Sequence, residues 1–207
     1  MKTVRCALVL LCLTAIAASP AHAAVNATTE DGARVFLYED GTWAYQQDST
    51  TTSAISYTRA PGLENVVHSE TTRYSLWYDA AKWSIKQERD QPLSEFEFVD
   101  ASTLCQAMAI PYATPMTLDE LEDLALGNVR SLDPLAEIIF KESRTVNNAP
   151  IRCIRIKATL GGVPLIFYYY LYSGDHTALQ VVAYTEESVF EKFHDTLTDF
   201  LNGLVIH

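Results

Sequence analysis

The densest run of side chains able to do chemistry is Phe167-Tyr168-Tyr169-Tyr170-Leu171-Tyr172. A tyrosine joins an apolar ring to a polar hydroxyl, which suits a cleft for a peptide or an uncharged ligand. Alternate residues of a strand share a face, so Tyr168, Tyr170 and Tyr172 should stand together. With Trp43 and Tyr45 nearer the N-terminus, they form the expected ligand or partner surface. The competing reading is stronger: strands favour aromatic residues anyway, and the rings would then fill the core beneath helices.

Cysteine is the next candidate. Cys6 and Cys12 belong to an N-terminal segment with the character of an export signal, which leaves Cys105 and Cys153. In an oxidising compartment two such thiols often pair. Closing the 48-residue separation would stabilise the fold by about 4 kcal/mol in the chain-entropy model. Two buried free thiols acting as small apolar residues are the alternative. Neither cysteine lies in a C-x-x-C motif, and no histidine is spaced to activate one.

Other reactive types are scattered. His22, His68, His176, His194 and His207 show no paired ligand spacing, so no metal site is expected. His194, between Phe193 and Asp195, is expected to be a partly exposed helix residue. The acidic run Asp119-Glu120-x-Glu122-Asp123 lacks the glycine and alternating ligands of a calcium loop and reads as a solvated helix face. A nucleophile elbow, a P-loop and a dinucleotide glycine motif are all missing from the sequence. No catalytic residue and no cofactor is therefore expected.

These residues sit in a chain that begins with a strong export signal. Lys2 and Arg5 precede an apolar run from Cys6 to Ala18; Ser19-Pro20 breaks it, and Ala21-His22-Ala23 is a small-x-small cleavage pattern. The run is shorter than the roughly 20 residues a spanning helix needs. Bulky Leu11 before Cys12 argues against lipid attachment. The expected product is residues 24–207, periplasmic or secreted, with no stable membrane insertion. Losing Lys2 and Arg5 leaves 13 basic residues against 26 acidic ones, a formal charge of about −13. That balance repels phosphate backbones, which argues against a nucleic-acid partner.

Asp40-Gly41 between two β-prone runs predicts a hairpin within 24–47, with Val35 and Leu37 on one strand and Trp43 and Tyr45 on the other. Residues 48–70 read as a linker, polar as far as Ser53 and irregular around Pro61-Gly62. The main domain, 71–207, should open with strands at Tyr74–Tyr78, Trp83–Lys86, Phe96–Phe98 and Leu104–Ile110, ended by Pro111 and Pro115. Thr117 and Glu120 form a capping box before a stripe of Leu118, Leu121, Leu124 and Val129. Four strands follow, at 137–145, 151–160, 163–172 and 177–184, with tight turns at Gly161-Gly162 and Ser173-Gly174-Asp175. The strand from Val163 is apolar on both faces and belongs in mid-sheet. Thr185 should cap a last helix whose stripe runs from Val189 to Leu201, and Gly203 should stop it.

Two resemblances arise from these patterns. The D-G-x-x-V-x-L-x-x-D-G-T-W stretch from Asp31 to Trp43 resembles a short module near the N-terminus of exported bacterial proteins, and implies no activity. The order of elements from Tyr74 to the last helix, with Trp83-x-Ile85, Gly161-Gly162 and Tyr184-Thr185, resembles the Mog1/PsbP-like α/β/α sandwich, including its exported DcrB-like branch. That resemblance implies an α+β fold over 71–207, a largely antiparallel sheet covered by helices on both faces. It further implies a non-enzymatic binding or assembly module whose partner is a protein or peptide. The family includes a nuclear-transport factor binder, a photosystem subunit and envelope proteins. None of its functional residues can be carried over, because no site motif matches.

Two other functions compete: an enzyme assembled from separated loops, and a structural oligomerisation protein. Carboxylates with strongly shifted pKa values in a cleft would favour the enzyme; an apolar tyrosine-lined groove would favour binding.

Overall fold

The computed structural model describes residues 24–28, 34–38 and 43–45 as backbone strands, and residues 55–175 and 177–207 in full. The chain divides into two compact units, Met1–Thr51 and Thr52–His207. Within the first unit, β1 (Ala24–Thr28), β2 (Arg34–Tyr38) and β3 (Trp43–Tyr45) form a three-stranded antiparallel sheet in which β2 is central. Residues 1–23 and the Asp40-Gly41 turn lie outside the described residues.

The second unit is α+β. Its main sheet has eight strands in the order β4 (Ser56–Tyr57), β10 (Glu137–Val146), β11 (Ala149–Leu160), β12 (Val163–Gly174), β13 (Thr177–Glu186), β9 (Cys105–Tyr112), β8 (Phe96–Asp100) and β7 (Trp83–Ile85). Only the β4–β10 pair is parallel. A smaller sheet joins β14 (Leu204–Ile206), β6 (Tyr74–Tyr78) and β5 (Asn65–His68). Residues 55–70, expected to be linker, thus supply β4 and β5.

Turn chemistry sets the long meander. Gly161 and Gly162 both have positive φ, 60° and 85°, as the tight turn between β11 and β12 demands. Asn147 and Asn148, at 47° and 69°, play the same part between β10 and β11, a turn that local sequence signals did not announce. Strand β9 continues through Pro111, contrary to expectation. Glu95 N–H donates to the Ala109 carbonyl, so the odd residues of β9 turn their backbone toward β8, whose pairing ends at Ala109. The missing N–H of Pro111 faces that unpaired side and costs the ladder nothing.

The capping box of α1 (Leu118–Arg130) forms as expected, with Thr117 Oγ1 accepting from Glu120 N–H and the Glu120 carboxylate accepting from Thr117 N–H. Thr185, expected to cap α2 (Glu187–Leu201), lies in β13 and donates its hydroxyl to the Leu104 carbonyl. Gly203 follows the C-cap Asn202 of α2, as expected of a helix stop, but without a positive φ. A Cβ there would lie 1.9 Å from the Trp77 carbonyl oxygen, so glycine is needed for close passage of β14 beside β6.

Two apolar clusters form around the meander. Tyr168, Tyr170 and Ile166 of β12 pack with Phe190, Leu197, Phe200 and Leu201 of α2, and Tyr74, Leu76 and Leu204 of the small sheet join them. The intervening residues Phe167, Tyr169 and Leu171 pack with Leu121, Ala125 and Val129 of α1. Among the described residues no helix is long and apolar enough to cross a membrane.

Candidate binding groove

The predicted tyrosine surface is not on the surface. Tyr168 and Tyr170 are 2% and 0% exposed, because α2 and the small sheet together cover that side. Their hydroxyls are satisfied by a residue that sequence reasoning missed. Buried Arg144 of β10 donates from Nη1 to Tyr170 Oη at 2.8 Å and to Tyr168 Oη at 3.1 Å. Its Nε and Nη2 lie 2.8 and 2.7 Å from Glu142 Oε1, and its guanidinium stacks 4.6 Å from the Tyr57 ring centroid. Tyr170 Oη donates onward to Asn202 Oδ1 at 2.8 Å. His194 stacks on Tyr168 with ring centroids 5.8 Å apart. The Arg144 Nε, Nη1 and Nη2 groups and the Tyr170 hydroxyl all have protein acceptors, so the cluster reads as a core network. The signal available in the sequence was an arginine alternating in phase with the core positions of β10.

Tyr172 lies apart, half-buried at a separate cavity of about 380 Å³ bordered by Arg73, Asp175 and His207. Trp43 and Tyr45 lie in β3 of the first unit. Within the second unit, Tyr168 and Tyr170 are thus buried together while Tyr172 borders a different cavity.

Cys105 and Cys153 are free and buried, the second of the two alternatives left open by the sequence. Cys105 pairs with Thr185 on β13 and Cys153 with Tyr170 on β12, so three strand spacings, about 14 Å, plus a four-residue offset along the strands separate them. A disulfide needs Cα atoms within about 7 Å. Burial pushes both thiols up to about 11, leaving them protonated and inert at neutral pH. The acidic run on α1 is a solvated face, as expected, with Asp119, Glu120 and Asp123 exposed; Glu122 alone is half-buried, and Arg152 Nη1 bonds Asp119 and, at 3.0 Å, Glu122, which also holds Lys141 at 2.8 Å. Among the described residues no group of three or more His, Cys, Asp or Glu side chains is placed to hold a metal.

The open concavity is on the other side of β12. Only α1 packs there among the described residues, and its 13 residues extend about 20 Å, less than the width of eight strands at about 4.8 Å each. The uncovered part is a groove of about 280 Å³. Phe167 and Tyr169 of β12 and Val182 and Tyr184 of β13 form its floor, continued by Met108, Ile110 and Tyr112 of β9. Phe167 and Tyr184 are stacked with centroids 5.2 Å apart. One border is the end of α1 with Leu132; the other is the β7–β8 loop with Gln91 and Leu93. Leu132 and Leu93 are 66% and 70% exposed. Among the described residues no charged side chain lines the groove. Burial raises the pKa of Tyr112, Tyr169 and Tyr184, so their hydroxyls stay neutral. Tyr184 donates to Gln106 Oε1 at 2.9 Å, whereas the buried Tyr112 hydroxyl has no partner among the described residues. The groove is tyrosine-lined and largely apolar, with Gln91, Asn128, Ser131 and Gln180 as its polar members, and it is built from the opposite residue parity to that expected.

No family model matches the chain, and no curated protein matches it. Solved structures do. The solution structure of cyanobacterial PsbP (CyanoP) from Synechocystis sp. PCC 6803 matches with a TM-score of 0.53 at 12% identity, over 69% of this chain and 92% of that one. A protein of unknown function from Pseudomonas aeruginosa, described as a putative regulator, matches with a TM-score of 0.45 at 8% identity, over 69% and 96%. LpqN, involved in cell envelope biogenesis of Mycobacterium tuberculosis, matches with a TM-score of 0.44 at 12% identity, over 69% and 89%. The likeness to CyanoP shows that the chain carries a PsbP-like fold.

Proposed function

We propose that this protein is an exported, non-enzymatic binding or assembly module of the cell envelope, and that the groove receives an uncharged apolar segment of a partner protein. One observation carries the reading: an aromatic concavity bordered by two exposed leucines and lined, among the described residues, by no charge. Burying apolar surface there is favourable, and no ionised group must be desolvated. At about 280 Å³ the groove is slightly smaller than pockets that enclose whole small molecules, which suits a few side chains of a docked segment. In this reading α1 and α2 are the outer layers of an α/β/α sandwich, and the N-terminal strands are a separate contact module. Export requires removal of residues 1–23; intact-mass analysis of envelope protein should find Ala24 first, and a retained leader would contradict it.

The groove is tested with a neutral apolar probe, N-phenyl-1-naphthylamine, whose fluorescence rises in apolar surroundings. Wild-type protein should bind it saturably. Ile110→Glu and Leu132→Glu should each weaken binding at least about tenfold while preserving a cooperative melt, because each places a charge against the apolar lining. Equal binding by both variants would remove the groove from consideration.

A further inference from the structure

The loop that walls the groove opposite α1 has no apolar core of its own. Between Ile85 of β7 and Phe96 of β8, the chain wraps around one carboxylate, that of Glu97, which is 3% exposed. Glu97 Oε1 accepts from Gln91 N–H at 2.7 Å and from the Ser94 hydroxyl at 2.7 Å. Oε2 accepts from Asp90 N–H at 3.0 Å and lies 3.3 Å from Lys86 Nζ. Arg89 Nη1 closes the loop on the Ser94 carbonyl, and Lys86 also pairs with Asp90. The two residues this loop gives to the groove, Gln91 and Leu93, lie inside the stretch so gathered. Leu93 is too exposed to fix the wall by packing, so hydrogen bonds hold it: those to the Glu97 carboxylate, with Ser94 N–H on the Gln91 carbonyl and Glu95 N–H on the Ala109 carbonyl beside them.

The geometry points to Glu97 as the positioning residue of the groove: its carboxylate shapes the wall that presents Gln91 and Leu93 to an apolar protein segment. This rests on the groove reading above. A carboxylate with four donors cannot be replaced at low cost, since each released N–H must find another acceptor. Burial would raise the Glu97 pKa, but the N–H groups of Asp90 and Gln91, the Ser94 hydroxyl and the Lys86 ammonium outweigh it and hold the carboxyl below its usual range. The charged and titratable groups facing it are Lys86, Arg89 and Asp90 of the loop and Tyr184 of β13. The wall is therefore intact at neutral pH and through the ordinary carboxylate range, and is lost at lower pH as Glu97 takes a proton.

N-Phenyl-1-naphthylamine affinity should fall about tenfold in Glu97→Ala and about threefold to fivefold in Glu97→Gln, which keeps one acceptor oxygen. The acid-side loss of wild-type binding should be flattened in Glu97→Gln. Asp100→Asn is the control, because buried Asp100 anchors the β8–β9 turn through Cys105 N–H at 2.7 Å and Ser102 N–H at 3.0 Å, and that turn does not line the groove. This control should lower the melting temperature while leaving probe affinity within about twofold. Wild-type affinity and pH profile in Glu97→Gln would overturn the assignment while leaving the groove reading intact, as would equal losses in Glu97→Gln and Asp100→Asn. Binding insensitive to Ile110→Glu would overturn both.

Discussion

Gly203→Ala should cost about 3–4 kcal/mol, a drop of roughly 6–16 °C in melting temperature. The new Cβ would sit 1.9 Å from the Trp77 carbonyl oxygen and 2.9 Å from that of Phe200, both backbone atoms that no rotamer change can move. The same stretch is pinned by Trp77 N–H donating to the Gly203 carbonyl at 3.0 Å, so relief requires β14 to leave β6. Gly127 provides the contrast: it is helical, a Cβ added there would meet nothing within 4 Å, and Gly127→Ala should stabilise by about 0.5–1 kcal/mol. Thermal melts of the two variants decide it. An unchanged melt for Gly203→Ala would mean that β14 does not pass β6 this closely.

Arg144→Met should be nearly as damaging, at about 3 kcal/mol, with Arg144→Lys recovering only part. Methionine fills the volume but leaves the Tyr168 hydroxyl without its donor and Glu142 without its partner. Lysine restores one charge, yet a single ammonium cannot reach two phenols and a carboxylate with the fixed fork of a guanidinium. Urea unfolding should show a lower midpoint at an unchanged slope. Full stability of Arg144→Met would indicate that the network relaxes onto Asn202 and water.

The sequence was most legible where local chemistry decides the backbone. Thr117 and Glu120 cap α1, Gly161-Gly162 turns the chain, and two-faced apolarity puts β12 between β11 and β13, each from a handful of neighbouring residues. Where a distant segment supplies the reason, local signals misled. Pro111 is harmless because β8 ends short of it, Thr185 is a strand residue because Leu104 takes its hydroxyl, and Gly203 exists for Trp77. The site failed for the same kind of cause. Alternation divided the aromatic residues of β12 correctly between two faces, but which face stays open depends on β5, β6 and β14 helping α2 on one side while α1 packs the other. Arg144 and the loop around Glu97 were invisible because their partners lie on other strands or in a bend with no recognisable motif.

The most direct measurement is residue-by-residue amide and methyl NMR of residues 24–207 during titration with N-phenyl-1-naphthylamine and, separately, the neutral peptide N-acetyl-leucyl-phenylalaninamide. Binding in the groove predicts saturable shifts at Leu93, Met108, Ile110, Leu132 and Tyr184 for both ligands, with Tyr170 and the Arg73–His207 cavity unmoved. Shifts centred on that cavity, or no shifts for the peptide, would contradict the account.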